Sequence, residues 1–254
     1  MHLDVTDLRD FYARPLGQIA RRVLARRIRE RWPSVGGQTL IGLGFASPFL
    51  GAFRGEARRI GALMPASQGA MIWPPNGDTM SVLVDEERLP LPDNSIDRLL
   101  CVHCLEVAER IRPLLREIWR VLAPDGRLLM IVPSRRSMWA RRDNTPFGHG
   151  RPYSRGQLEK LLADALFTPI NWTHALHMPP IERRFILRSA SSFERLGARV
   201  TPTFGGVIIV EAKKEVMAPI GSGLEVARKV PVRGTLVTAD SKRVALRKRR
   251  ANRD

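Results

Sequence analysis

Apolar residues fall into two spacings along this chain. Residues 38–45 (QTLIGLGF), 57–64 (ARRIGALM), 80–84, 96–102 (IDRLLCV), 127–132 (RLLMIV) and 206–212 (GVIIVEA) are short runs dense in Leu, Ile and Val. Runs of this length, bounded by Gly, Pro, Asn and Asp, predict strands buried on both faces. Residues 167–174 predict one more strand. Between the runs the spacing turns helical. Leu16, Ile19, Ala20, Val23, Leu24 and Ile28 recur on one face, with arginines on the other, until Pro33 and Gly36-Gly37 close the segment. Leu114, Leu115, Ile118, Trp119 and Leu122 share a face of a predicted helix over 111–122. Helices are also predicted over 154–166, with Ser154 as N-cap, and over 181–196. Residues 135–149 are polar and arginine-rich, and read as a loop.

Strands alternating with helices predict an α/β fold, a doubly wound, mostly parallel sheet with helices on both faces. The basic amphipathic segment near the N-terminus could lie on a membrane or pack its apolar stripe on the domain. Packing is the expectation, because no Trp or Phe marks that stripe.

Composition bounds the rest. The 254 residues, 44% of them hydrophobic, suit one α/β domain with an appended segment. Domains are expected at 1–36 (an N-terminal helical cap), 37–215 (the sheet domain) and 216–254 (a basic, disordered tail). The net charge of +17 is concentrated at the ends: residues 213–254 hold 12 basic and 4 acidic side chains. Such a tail could make weak, unspecific contacts to nucleic acid or anionic lipid. No apolar run is long enough to predict a transmembrane segment, and the first residues lack the apolar stretch of a secretory signal. Cys101 and Cys104 lie too close together for a disulfide framework, so a reducing, cytoplasmic setting is expected.

The segment 85–133 reads DEERLPLPDNSIDRLLCVHCLEVAERIRPLLREIWRVLAPDGRLLMIVP. Its order of strand, helix, Pro-Asp-Gly turn and strand resembles the class I, Rossmann-like S-adenosylmethionine-dependent methyltransferases, in their type 11 branch. There D-A-E-x-L-P-F-P-D-x-S-F-D precedes the fourth strand and L-x-E-x-x-R-V-L-K-P-G-G-x-L leads into the fifth. The corresponding segments here are 85–97 and 115–128. The resemblance covers about residues 38–212. It implies seven strands, with the last antiparallel and inserted between the fifth and sixth. It also implies S-adenosyl-L-methionine as cofactor.

The resemblance assigns candidate cofactor contacts. Gly42, Leu43 and Gly44 follow the first strand, where the family's D-x-G-x-G-x-G loop wraps the methionine part of the cofactor. Asp85, with Glu86 beside it, stands where a carboxylate accepts from the adenine amine. His103 follows the fourth strand, in a loop that abuts the cofactor. Three positions depart from the pattern. Leu40 replaces the acid before the glycines, Ala46 replaces the third glycine, and Leu63 or Met64 stands where an acid takes the ribose hydroxyls. The lost acids leave the site less polar.

Methyl transfer needs alignment and at most a proton acceptor. His149 and Tyr153, in the segment after the fifth strand, are the candidates for that role. A turn and a loop seal would equally explain them. Arg135, Arg136, Arg141, Arg142 and Arg151 make the segment basic and suit an anionic small-molecule acceptor. Cys101, His103 and Cys104 do not converge as metal ligands on a strand end, and no metal site is expected. The expected function is therefore methyl transfer to a small-molecule acceptor. The alternatives are an inactive methyltransferase-fold binding or regulatory protein, and a nucleic-acid- or membrane-associated protein.

Overall fold

Alternation along each strand sends neighbouring side chains to opposite faces, and two separate cores follow from it. Leu100, Val102, Leu129 and Ile131 pack on one side of the sheet, Leu99, Cys101, Leu128 and Met130 on the other. The computed structural model describes residues 3–200 and 203–216. The expected tail lies outside the described residues from 217 onward.

The strands are β1 (Thr39–Gly44), β2 (Arg59–Pro65), β3 (Ser81–Val84), β4 (Ile96–Val102), β5 (Leu122–Pro133), β6 (Phe167–Ala175) and β7 (Val207–Lys214). They form one sheet in the order β3-β2-β1-β4-β5-β7-β6. All neighbours are parallel except β7, which runs antiparallel to both β5 and β6. This is the seven-stranded arrangement that the resemblance implied.

Helices α1 (Val5–Ala13) and α2 (Pro15–Arg31) precede the sheet, and the short α3 (Ser47–Leu50) follows β1. Pro15 sits in the first turn of α2, where its missing N–H has no partner to lose. The stripe Leu16, Ala20, Leu24 and Ile28 is buried, so α2 packs on the domain as expected. At its end Trp32 Nε1 donates to the buried Glu211 Oε1 on β7, 3.0 Å away, and fixes the helix to the sheet.

On the opposite face lie α4 (Ile111–Val121) and α5 (Arg155–Asp164). Ser154 caps α5 in a capping box with Gln157. The last helical stretch is α6 (Arg184–Arg188) followed by α7 (Ala190–Val200), not one helix over 181–196. Ser189 breaks it: its N–H turns back to the Leu187 and Phe185 carbonyls in the tighter geometry of a helix end. The Pro124-Asp125-Gly126 step also differs from expectation. It lies inside β5, with a register shift against Ile96 and Arg98, because the chain kinks there without leaving the sheet. Among the described residues no helix is long and apolar enough to cross a membrane.

Candidate functional site

In an open α/β sheet, ligands enter where the strand order reverses, at the carboxyl ends of the strands. Here that point lies between β1 and β4. Gly44 ends β1 and Val102 ends β4, and the next residue, Phe45, donates its N–H to the Val102 carbonyl at 2.8 Å. That bond ties the two exits together. Gly44 has φ +78°, and a Cβ there would lie 2.3 Å from Val102 O and 2.8 Å from Cys104 Cβ. A Cβ at Gly42 would meet Ala46 Cβ at 2.7 Å and Leu50 Cδ1 at 2.8 Å. Both glycines are therefore required by the chain's own packing.

Three segments roof the point, and all converge on His103. From α1, the Tyr12 hydroxyl lies 2.9 Å from His103 Nε2. Its ring stacks on Phe45, with centroids 5.7 Å apart and planes 13° from parallel, and meets Phe49 edge-on. From the turn after β2, Gln68 Nε2 donates to the His103 carbonyl. From the loop after β5, the Phe147 ring lies 4.9 Å from the imidazole and is backed by Trp139. Tyr12, Phe45, Gln68, His103 and Phe147 are all buried.

The histidine carries a second bond. Its Nδ1 lies 3.1 Å from Glu106 Oε1. If the phenol donates to Nε2, then Nδ1 bears the proton and donates to the carboxylate, which satisfies both ring nitrogens. Glu106 Oε2 is buried with no hydrogen-bond partner. Burial, and then the Glu106 charge, push the Tyr12 phenol well above the usual tyrosine range. His103 itself sits at φ +51°, a strained conformation for a non-glycine residue, held by these contacts.

The remaining candidates are dispersed. Leu43 and Leu63 point into the α4 side of the sheet, whereas Met64 points into the α1–α2 side. Met64 Sδ accepts the Met71 N–H at 3.2 Å. Asp85 is exposed, and its Oδ1 accepts the Glu87 N–H at 2.9 Å, closing a local turn. Glu86 is half-buried; desolvation first, then the Asp85, Glu87 and Glu109 charges, raise its carboxyl above the ordinary value. Tyr153 is buried, donates its hydroxyl to Leu105 O at 3.2 Å and is pushed up to about 12, chiefly by burial. His149 instead lines a cavity of about 220 Å³ with Asp7, Asp10, Arg14 and Asp143. His149 and Tyr153 thus do not share a site. Tyr12, Gln68, Glu106 and Phe147 were not singled out from the sequence. Only Glu106, three residues beyond His103, carried a local signal.

A second cavity, about 510 Å³, opens between the α1–α2 junction and the loops after β5 and β6. Arg14, Arg142 and Arg183 line it, with one carboxylate, Glu182, and the apolar Leu16, Ile181 and Ile186. These three arginines form no ion pair among the described residues.

The resemblance implies S-adenosylmethionine at the switch point. Its glycine loop is covered by protein on every side named above. The end of β2 presents Met64 and Pro65 in place of a carboxylate.

Residues 66–130 match a family model described as a methyltransferase domain. No curated protein matches the chain. Among solved structures, a methyltransferase from Thermotoga maritima, described as a possible histamine N-methyltransferase, is similar at 15% identity. It covers 83% of this chain and 96% of its own, with a TM-score of 0.59. An S-adenosylmethionine-dependent methyltransferase from Mesorhizobium loti is similar at 16% identity over 74% and 96%, TM-score 0.55. The 4+2 cyclase SpnF is similar at 21% over 79% and 83%, TM-score 0.53. The chain thus has the Rossmann-like fold of the class I S-adenosylmethionine-dependent methyltransferases, and its segment 66–130 matches the methyltransferase-domain model.

Proposed function

We propose that this chain is a methyltransferase-fold binding protein whose cofactor crevice has become part of its core. The observation that carries this reading is the plug of Tyr12 on His103 and Phe45. Withdrawing α1 would expose Val5, Leu8, Phe11 and Tyr12, all buried. At about 1.5–3 kcal/mol per large apolar side chain, that costs about 6–12 kcal/mol. A micromolar ligand supplies only about 8 kcal/mol, so opening would consume most or all of it. The missing carboxylate at the end of β2 removes a further anchor. A fold of this class does not dictate methyl transfer; the similar SpnF bears the name of a cyclase. The ligand of this reading is a small anion in the cavity of Arg14, Arg142 and Arg183.

The second reading is methyl transfer to a small acceptor after α1 swings aside. The unpartnered Glu106 Oε2 favours it, because a buried carboxylate oxygen suits the ammonium of the cofactor's methionine part. Calorimetric titration of the purified protein with S-adenosylmethionine and S-adenosylhomocysteine separates the two. Absence of binding at about a hundred times a micromolar constant is expected from the first reading. Micromolar binding of either compound would replace it with the second.

A further inference from the structure

We infer that the groove between α2 and the α6–α7 pair is a docking surface for an anionic phospholipid bilayer. This inference stands apart from the cofactor reading and uses none of its residues. The groove has a volume of about 740 Å³. Six arginines line it: Arg22, Arg26, Arg27, Arg188, Arg195 and Arg199. Its floor is apolar, with Ile19, Val23 and Leu187.

The positive charge is largely unanswered. Arg26 and Arg27 share Glu30 in exposed pairs along α2. The other four form no ion pair among the described residues. The one carboxylate lining the groove, Glu194, is buried and turned inward, accepting the backbone N–H groups of Leu176 at 3.2 Å and Met178 at 3.4 Å. An anionic partner would relieve the mutual repulsion of these guanidinium groups.

Apolar side chains beside the charge decide which anion. Phe185 is 76% exposed, Leu196 62% and Val200 68%. Leu196 and Val200 are four residues apart on α7 and share its outer face, next to Arg195 and Arg199. Arginines at headgroup level with Phe, Leu and Val reaching the acyl boundary are what an interfacial helix presents. A nucleic-acid backbone gives aliphatic side chains nothing to bury against. Residues 217–254 hold 10 basic and 3 acidic side chains, a charge that does not complement the groove.

The test is sedimentation of the full-length chain with phosphatidylcholine vesicles, with and without phosphatidylserine. Binding is expected only where phosphatidylserine is present, falling steeply as salt rises. Arg188→Glu/Arg195→Glu/Arg199→Glu should weaken it by about ten-fold or more. Phe185→Ser/Leu196→Ser, at unchanged charge, should do likewise. All five side chains are exposed, so the variants should keep the wild-type circular dichroism. Wild-type vesicle binding by both variants would overturn the inference and assign any vesicle affinity to another basic segment. Loss with the arginine set alone, joined to equal binding of single-stranded RNA, would also overturn it, because the surface would then read phosphate charge and not a bilayer.

Discussion

The two halves of the sheet flanking the switch point have followed different rules. In the β4–α4–β5 half, Leu114, Leu115, Ile118 and Val121 pack on Leu99, Cys101, Leu128 and Met130, within the segment whose sequence carries the resemblance. In the β1–β2 half, positions where the resemblance expects carboxylates carry Leu40 and Leu63 or Met64, and the loop after β1 is covered by Phe45 and Tyr12. The first half serves the fold: its residues are constrained by layer packing whatever the crevice does. The second half serves the ligand. Once apolar side chains replace its charged groups, nothing in the sheet resists filling the space with core. On the proposed reading, a methyltransferase architecture persists with its cofactor floor repacked, because the two depend on different residues.

The sharpest way to break this comparison is at Gly44. If the glycine answers to packing, Gly44→Val should destabilise the protein itself, with any ligand effect secondary. A β-branched residue at positive φ costs about 1–3 kcal/mol. Overpacking against the Val102 carbonyl adds about 1–3 kcal/mol. A loss of up to about 6 kcal/mol in urea unfolding is expected. A variant as stable as wild type would show the loop to be free of β4.

Tyr12→Ala probes the same half from above. Removing the ring should cost about 3–5 kcal/mol. It should not create binding of S-adenosylhomocysteine, since the β2 carboxylate is still missing. If calorimetry finds new micromolar binding in this variant, the crevice is gated and not converted, and the second functional reading takes precedence.

Alkaline titration sharpens the contrast without mutation. The chain has two tyrosines, Tyr12 and Tyr153, both buried. Burial raises both phenols, Tyr153 to about 12. A group whose folded value is raised stabilises the native state fully below its unfolded value, about 10, and that contribution is lost as pH climbs through the folded value. Stability should therefore fall between about pH 10 and 12. Ultraviolet difference spectra of native protein should show little phenolate at pH 10. Half-ionisation of even one tyrosine there would mean that its half of the molecule is open to water.

The smallest effect is expected at Asp85. Its exposed turn contact predicts a change of about 0.5–1 kcal/mol in Asp85→Ala. A larger stability loss, or a lost ligand, would place it in working machinery.

Much of the fold was legible because it is written locally. Strands β1, β2, β4 and β7 each carry a short run of apolar residues, α4 shows its stripe, and Ser154 announces α5. The break at Ser189 and the kink at Pro124–Gly126 were missed, because each depends on how neighbouring segments pack. The plug was illegible for a different reason. Tyr12 reaches His103 across 91 residues, and Gln68 reaches it across 35. No local spacing encodes such a meeting. The glycines after β1 were visible as a feature, but whether ligand or Val102 required them depended on that long-range contact.

The cysteines give the molecule a clock. The chain holds only Cys101 and Cys104, and both are free and buried. The contact with Cys101, then burial, raises the Cys104 thiol above its ordinary value. Neither can react with a disulfide reagent until β4 and its exit are uncovered, and Cys104 lies directly against Gly44 beneath the plug. The rate at which unmodified protein takes up such a reagent therefore times how often this floor opens. It does so with no label added and with no other thiol in the chain to confuse the count.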